Sequence, residues 1–513
     1  MRDRVLVGLL VLAAVLYGVG IDWGLPWNIS WSIDDLSPWK PLSLPWRWFE
    51  SWNKYPYLHW FLSLALYAPV LAWLAVTGGL NVDCLPTIEP WEGCFSDAHA
   101  APTVLMLLTR LLSAAMALGC IAFVYALARE LTGDRLAARL AAALAAVTSV
   151  LVLYAHLGNL DVPVTFWFTG SLLFAARIAR RAVRRDYALF GLFSACALTT
   201  KDPILGAYLG TGLGLLAVHL RRGGRLFDRN LLTLLGVLLV VYGAVQNVLF
   251  NFEGFLDHWR FWLPTGEFIQ GERGSSPGLL HTARRIAESW VSGTGAPIAL
   301  LCVAGGVGAL GLRRRVALLW IPIVSYLLVS VLLSAFAAER ILLPVVVVAA
   351  VFGGWLGAHL LRLPRGRTAG GAVVAGALLH GLLYSVHIDG LLVRDGRYTA
   401  EAWFASSFET ALRVASCSAP VDLPRLDRQG ILIEWVPHDE DCAAGLARLS
   451  PDRLLVSSAS PRGHWRDPTG WRLVWEGTGH SPLERWFPSP YSWLNPRIRV
   501  LEPEADPTPR RGR

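Results

Sequence analysis

Two adjacent carboxylates, Asp34 and Asp35, stand in a Trp- and Pro-rich segment, Trp31-Ser32-Ile33-Asp34-Asp35-Leu36-Ser37-Pro38-Trp39-Lys40, directly after the first apolar run of the chain. Like charges beside a membrane surface are costly to desolvate, so such a pair asks for a use; the plain alternative is a solvated acidic loop. A carboxylate can take the proton of an attacking hydroxyl as a bond forms, an effect of about 10²–10⁴-fold on rate. Asp34 is the candidate base, with Asp35 as its substitute. Further along, His156-Leu157-Gly158-Asn159-Leu160-Asp161-Val162-Pro163, Thr199-Thr200-Lys201-Asp202-Pro203 and Glu339-Arg340-Ile341-Leu342-Leu343-Pro344 set charged residues beside proline between apolar runs. Lys54-Tyr55-Pro56-Tyr57-Leu58-His59 opens another such run. Lys201, Arg340 and Lys54 are the candidate cations for a phosphate. Asp161 is a third candidate carboxylate, able to orient a sugar, position a lysine, hold a metal or simply cap a helix. Tyr55, Tyr57, His258 and Arg260 are candidate acceptor or sugar contacts. Charges at helix junctions also serve as interfacial anchors, and the tryptophans of the first loop (Trp23, Trp27, Trp31, Trp39, Trp46, Trp48, Trp52) fit an interfacial belt as well as a sugar-stacking surface.

The elements that must position these residues are membrane helices. The chain of 513 residues is 54% hydrophobic and only 16% charged, outside the range of soluble domains. Apolar runs fall near 4–20, 56–80, 103–128, 136–155, 163–176, 187–200, 203–219, 231–250, 292–311, 316–337, 341–361 and 368–388. The first resembles a signal peptide but lacks a small-residue cleavage site, which predicts an uncleaved first span. The net charge of +8 is carried mostly by arginine in short loops between apolar runs: Arg180-Arg181, Arg184-Arg185, Arg221-Arg222, Arg313-Arg314-Arg315, and Arg362 with Arg365 and Arg367. That is the positive-inside pattern; it does not suggest nucleic acid. Lysine occurs only at Lys40, Lys54 and Lys201. Loop charge places both Asp34-Asp35 and the tail on the outer side. Parity then requires one run not to cross, and 56–80, with Pro56 and Pro69, is the choice. The expected fold is an α-helical polytopic membrane protein with about eleven spans and one juxtamembrane helix, plus a small soluble α/β domain.

The expected domains are 1–390 in the membrane, with external loops 21–55 and 251–290, then 391–505 as an extracytoplasmic α/β domain, and a disordered tail at 506–513. In the α/β domain a helix is predicted near 399–415 and strands at Ile431–Trp435, Arg453–Val456, Trp471–Trp475 and Ile498–Leu501. Cys120, Cys196 and Cys302 lie in apolar runs as small core residues. Cys84, Cys94, Cys417 and Cys442 lie in polar segments, which points to an oxidising outer compartment; spacing does not decide their pairing. No P-loop, dinucleotide fingerprint, zinc spacing or Ser/Cys nucleophile motif is present.

These motifs, in this order, resemble the membrane glycosyltransferases of the GT-C superfamily that use polyprenyl-phosphate sugars. Within it, the likeness is to glycosyltransferase family 39, the protein mannosyltransferases and lipid A aminoarabinose transferases. It covers about residues 1–390: an acidic pair in the first external loop (Asp34-Asp35, where the family has Asp-Glu), the proline-bearing helix opening Tyr55-Pro56-Tyr57-Leu58, Asp161-Val162-Pro163, Thr200-Lys201-Asp202-Pro203, and Arg340-Ile341-Leu342-Leu343-Pro344, with Ile341 where the family has Tyr. Asn495-Pro496-Arg497-Ile498-Arg499 is similar to the tail of bacterial members. The resemblance implies sugar transfer from a polyprenyl-phosphate donor to a lipid, glycan or protein acceptor, with inversion, at the outer face of the cytoplasmic (inner) membrane. It requires no cofactor; a divalent metal is compatible with it. A transporter or flippase of lipid-linked sugars is the competing class, and would place its charges mid-helix in two matching halves. A non-catalytic scaffold with an outer binding domain is a third.

Overall fold

With no water in the hydrocarbon to satisfy backbone groups, apolar runs of this length close their hydrogen bonds as helices. The computed structural model describes residues 3–504 apart from 26–30, 33, 51–53, 85–93, 263–277, 333, 335–336, 408–411, 438–439, 460–469, 480, 488–490 and 492. Two units are formed, one of Met1–Ile21 with Leu36–Ser385, the other of Asp22–Asp35 with Val386–Arg513.

In the first unit seven helices are long and apolar enough to cross a membrane among the described residues, or up to nine if each of two bent pairs counts as one span; the last of the seven continues past Ser385. Arg4–Gly18 and Arg229–Val245 are shorter apolar helices. The helical, polytopic architecture is the expected one, with a difference at the second run. Leu58–Val76, predicted not to cross, is one unbroken helix of 19 residues with Pro69 inside it, and it has the length and composition of a span. The sharpest break lies elsewhere. Leu279–Thr294 meets Ala296–Leu312 at 116°, and the joint is Gly295 at φ +77°, a conformation that disfavours a side chain. Part of the polar stretch 251–290 is also helical, as Phe252–Trp262 and the start of Leu279–Thr294; its residues 263–277 lie outside those described.

Helix Glu339–Leu360 is the most enclosed span, with 89% of its apolar window buried. Small residues permit this. A Cβ at Gly354 would run into the Ala141 backbone amide and the Ala137 carbonyl of helix Arg135–Ala146. Close backbone approach of this kind replaces the missing hydrophobic drive between helices in lipid.

The second unit is a five-stranded sheet with a helix on each face. Its strands are β1 (Val414–Ser416), β2 (Ile433–Trp435), β3 (Arg453–Ser457), β4 (Trp471–Gly477) and β5 (Ile498–Pro503), in the order β2-β1-β3-β5-β4. β1 runs parallel to β2 and β3, and β5 antiparallel to β3 and β4. Alternation along the strands explains the layers. Val414, Leu455 and Val500 pack with Ala400 and Phe404 of helix Gly396–Ser407, while their neighbours Ala415, Leu454 and Leu501 pack with Leu446 of helix Cys442–Leu449. β1 falls where the sequence pattern extended the helix to 415, because Ala-Leu-Arg-Val-Ala fits either period. Cys417 is disulfide-bonded to Cys442 in this unit, and Cys84 to Cys94 in the other; Cys120, Cys196 and Cys302 are buried thiols. The terminal segment 506–513 lies outside the described residues.

Asp22–Asp35 groups with the sheet unit because two of its tryptophans enclose an ion pair. Arg397 and Asp395 are fully buried and joined bidentately, Nε to Oδ1 at 2.9 Å and Nη2 to Oδ2 at 2.8 Å. The guanidinium lies 4.3 Å from the Trp31 ring centroid and 5.1 Å from that of Trp23. Trp23 Nε1 donates to Asp395 Oδ2 at 3.0 Å, and Arg397 donates on to the carbonyls of Val421 and Trp493. Trp23 and Trp31 are therefore core residues, where the sequence allowed an interfacial belt or a sugar platform; Trp27 and Trp52 lie outside the described residues. Replacing one member of a buried pair strands the other charge, at a cost of about 3–5 kcal/mol. Asp395→Asn is expected to lower the melting temperature of the purified protein and to expose the segment after 386 to trypsin. An unchanged melting curve and digestion pattern would show that the pair is not needed for stability.

Candidate active site

The site residues of the first unit are set by breaks between helices. Helix Asp161–Arg181 starts after Gly158-Asn159-Leu160, and Asn159 performs the capping: its Oδ1 accepts from the amides of Asp161 (3.0 Å) and Val162 (3.4 Å). Asp161 is thereby spared the cap role that the sequence left open. Its Oδ1 takes the Lys201 ammonium at 2.5 Å, and the two side chains are 6% and 12% exposed. Lys201 is held in extended backbone (φ −158°) between helix Arg184–Leu198 and the short turn Asp202–Ile204. The Thr199 and Thr200 hydroxyls donate to the carbonyls of Ala195 and Cys196 at 2.7 Å each, so they finish the preceding helix. The Thr199 carbonyl accepts from the amide of Leu58 at 2.9 Å, and that of Gly158 from Leu36 at 2.7 Å.

Beside this pair is a cavity of about 430 Å³ lined by Lys54, Tyr55, Lys201, Asp202, Arg340 and Ser330, with Trp259 and Trp262 among its aromatic walls. Arg340 is the second residue of helix Glu339–Leu360, whose start is fixed by the Tyr326 hydroxyl donating to the Ile341 carbonyl at 2.7 Å. Lys54 is fastened from helix Phe252–Trp262: its carbonyl accepts from Trp262 Nε1 at 3.0 Å, and its ammonium lies 5.6 Å from the Phe261 ring centroid. Ser330, in a π-helical turn over Leu327–Leu332, donates to the Pro203 carbonyl and closes the wall. Gly206 and Gly210 allow this approach, with Ser325 Oγ bridging the Gly206 carbonyl and the Gly210 amide.

Electrostatics link the same groups. Burial raises the Tyr55 phenol; Lys201 works against the rise, and Asp161 and Asp202 add to it. Tyr55 thus stays protonated near neutrality and can serve as a donor. Burial, helped by the charges of Arg47 and Lys54, holds the Lys40 ammonium below its usual value. Lys40 is not on the cavity wall, but it belongs to the same positive field.

The remaining expected contacts fall as follows. His258 is buried and turned to Asp202, Nε2 to Oδ1 at 3.0 Å. Tyr57 lies with His258, Gln246 and Asn251 at a separate small void, and burial raises its phenol to about 12 against the pull of Arg47. Arg260 is not on the cavity wall; it is exposed and paired with Asp257 at 2.7 Å. Its helix neighbours Trp259 and Trp262 take the wall positions, and neither was singled out in sequence, although both sit in the same Trp-rich run. Asp202 was quoted within its motif without a role. It lines the cavity, and its Oδ2 has no hydrogen-bond partner among the described residues. Asp34 is half-buried and Asp35 is buried, both in the second unit. Among the described residues no three His, Cys, Asp or Glu side chains gather as a metal site would need.

Residues 104–249, which include Asp161, Lys201 and Asp202, match the family model of dolichyl-phosphate-mannose-protein mannosyltransferases. No curated protein matches the chain by sequence. ArnT from Cupriavidus metallidurans, bound to undecaprenyl phosphate, is similar in structure over 96% of this chain and 97% of its own, with a TM-score of 0.53 and 13% identity. AglB, the archaeal oligosaccharyltransferase from Archaeoglobus fulgidus, in complex with an inhibitory peptide and a dolichol-phosphate, shares 13% identity over 88% of this chain and 69% of its own, at a TM-score of 0.43. The chain has a GT-C fold and resembles the family 39 and ArnT-like glycosyltransferases.

Removing the carboxylate charge from Asp161 leaves the Lys201 ammonium without its counter-ion. Asp161→Asn should therefore destabilise the empty protein by about 3 kcal/mol or more. A phosphate placed on Lys201 would restore the balance, so a short-chain polyprenyl phosphate should raise the melting temperature of Asp161→Asn more than that of wild type. An equal or smaller rise would argue that Lys201 does not meet the phosphate.

Proposed function

We propose that this protein is a membrane glycosyltransferase that takes a sugar from a polyprenyl monophosphate and transfers it, with inversion, to an acceptor hydroxyl or amine at the extracytoplasmic face. The observation that carries the reading is the convergence of three cations from distant stretches of the chain, Lys54, Lys201 and Arg340, on one cavity wall that also carries Asp202. The family match over residues 104–249 supports it.

The chemistry follows from where charge develops. As the anomeric bond breaks, negative charge grows on the phosphate oxygens. Cations that grip the dianion more tightly than the ester lower the barrier. Lys201 and Arg340 fill that role, with Lys54 at the same wall and the Tyr55 hydroxyl as a neutral donor. Asp161 sets the Lys201 ammonium, and Asp202, on the same wall, is the candidate acceptor for a sugar hydroxyl. Asp34 is assigned as the base that receives the acceptor's proton, with Asp35 as its substitute; the acidic pair of the family likeness supports this assignment. The reading needs no metal. Asp161, Lys201 and Arg340 all occupy helix ends, where surface chemistry belongs and where the mid-membrane sites of transporters do not lie.

The test supplies membranes carrying wild type, Lys201→Met or Asp34→Asn with radiolabelled polyprenyl-phosphate sugars and follows label into acceptor. Wild type should transfer in the presence of EDTA. Lys201→Met should lose about a hundredfold or more in kcat/KM, the scale of one removed oxyanion contact. Asp34→Asn should lose a comparable factor with donor binding intact. Undiminished transfer by Asp34→Asn would remove it as base. Movement of intact donor across sealed vesicles without transfer would favour the flippase class.

A further inference from the structure

A second cavity, of about 280 Å³, opens at the other ends of two of the same helices. Helix Asp161–Arg181 begins at the candidate site and ends here at Arg180, roughly 28 Å away at 1.5 Å per residue. Leu205–Arg221 runs from the first cavity to this one in the same way. The wall is apolar: Leu172, Ala175 and Ala179 on one helix face Leu215, Val218 and Pro322. The small residues Ala175, Ala179 and Gly214 leave the space open.

Charge at this cavity has one dominant sign. Arg180, Arg222 and Arg315 line it against a single acid, Glu130. Glu130 accepts from Arg180 at 3.0 Å and from the adjoining Arg181 at 3.3 Å, which orders that corner. Arg222 donates from Nη1 to the Ile178 carbonyl at 3.2 Å, a bond that keeps its guanidinium at the cavity while leaving further N–H groups unused by it. Arg315 is exposed at the start of the span Arg315–Leu332.

We propose that this cavity binds one anionic glycerophospholipid, its phosphate held by Arg222, Arg315 and Arg180 and one acyl chain laid along the Leu172–Ala175–Ala179 face. Guanidinium groups above an apolar slot match a phosphate joined to a hydrocarbon chain, whereas a soluble anion would have no use for the slot. These arginines are also among those that mark the cytoplasmic ends by the positive-inside rule, and the cytoplasmic leaflet supplies anionic lipid. The site is distinct from the sugar-transfer cavity and does not rest on the reading given above for it.

Native mass spectrometry of the full-length protein in detergent tests this, with phosphatidylglycerol, chain-matched phosphatidylcholine and undecaprenyl phosphate as probes. Wild type should retain one phosphatidylglycerol in preference to phosphatidylcholine. Arg222→Gln with Arg315→Gln should weaken it by about fivefold per arginine removed, and Arg→Lys at both positions should recover most of the loss. Gly214→Leu fills the slot without touching the charges; a Cβ there meets only Ile321, at ordinary distances of 3.5 Å and 3.7 Å. It too should reduce phosphatidylglycerol binding, with an unchanged melting temperature of the lipid-free protein as the check on folding. Unchanged phosphatidylglycerol affinity in folded variants of both kinds, equal retention of phosphatidylcholine, or one-for-one displacement by undecaprenyl phosphate would each overturn the proposal.

Discussion

A half-buried ammonium touching a buried carboxylate, Lys201 on Asp161, is the constraint around which the first unit is arranged. Neither charge is tolerable alone in so little water, and the pair is worth little to stability when compared with an apolar replacement. Keeping it demands three separate arrangements. One helix must begin at Asp161, another must break at Lys201, and Asn159 must take the capping work that Asp161 would otherwise do. A chain selected for stability alone would have no need of them. The pair does suit a lysine that is to be held in place for the phosphate proposed above.

The same principle acts in the second unit with a different outcome. Arg397 and Asp395 are as buried as any ion pair among the described residues, yet they are saturated: bidentate to one another, with Asp395 also accepting from Trp23 and the Asn495 amide and Arg397 covered by Trp31. No lone pair or face is left for a ligand. Asp202, a residue of the cavity wall, differs, since one carboxylate oxygen meets His258 and the other is buried without a hydrogen-bond partner among the described residues. An unsaturated buried carboxylate is the costlier of the two, because its unmet hydrogen bond goes uncompensated.

Helical membrane architecture was legible because the apolar runs are long and the arginines mark one set of ends. The junction motifs around Asp161, Lys201 and Arg340 were legible because a charge beside proline, between two apolar runs, has few places to go. What escaped was set by contacts remote in sequence. Trp23 and Trp31 read as interfacial aromatics, but their partners lie more than 360 residues away in Asp395, Arg397 and Leu423. Arg260 was preferred to its neighbours Trp259 and Trp262 because charge attracts attention; on that helix it faces outward to Asp257 while the indoles face the cavity. Strand β1 was lost inside a predicted helix since three residues cannot display a period.

Helices that end in a cavity at both termini give this chain two chemically different ends. At one, lysine and arginine stand with carboxylates, a mixed set that can bind an anion and also manage a proton. At the other, arginine dominates and Glu130 serves only to fix its neighbours in place. The asymmetry fits the two uses proposed above for the two ends. A phosphate that is to be released after reaction needs cations whose charge is partly answered, as Lys201 is by Asp161, or it would be held too well. A phosphate that merely anchors has no such requirement, and unanswered guanidinium charge is then no disadvantage. The distribution of carboxylates between the ends of helix Asp161–Arg181 therefore separates a place suited to turnover from a place suited to retention.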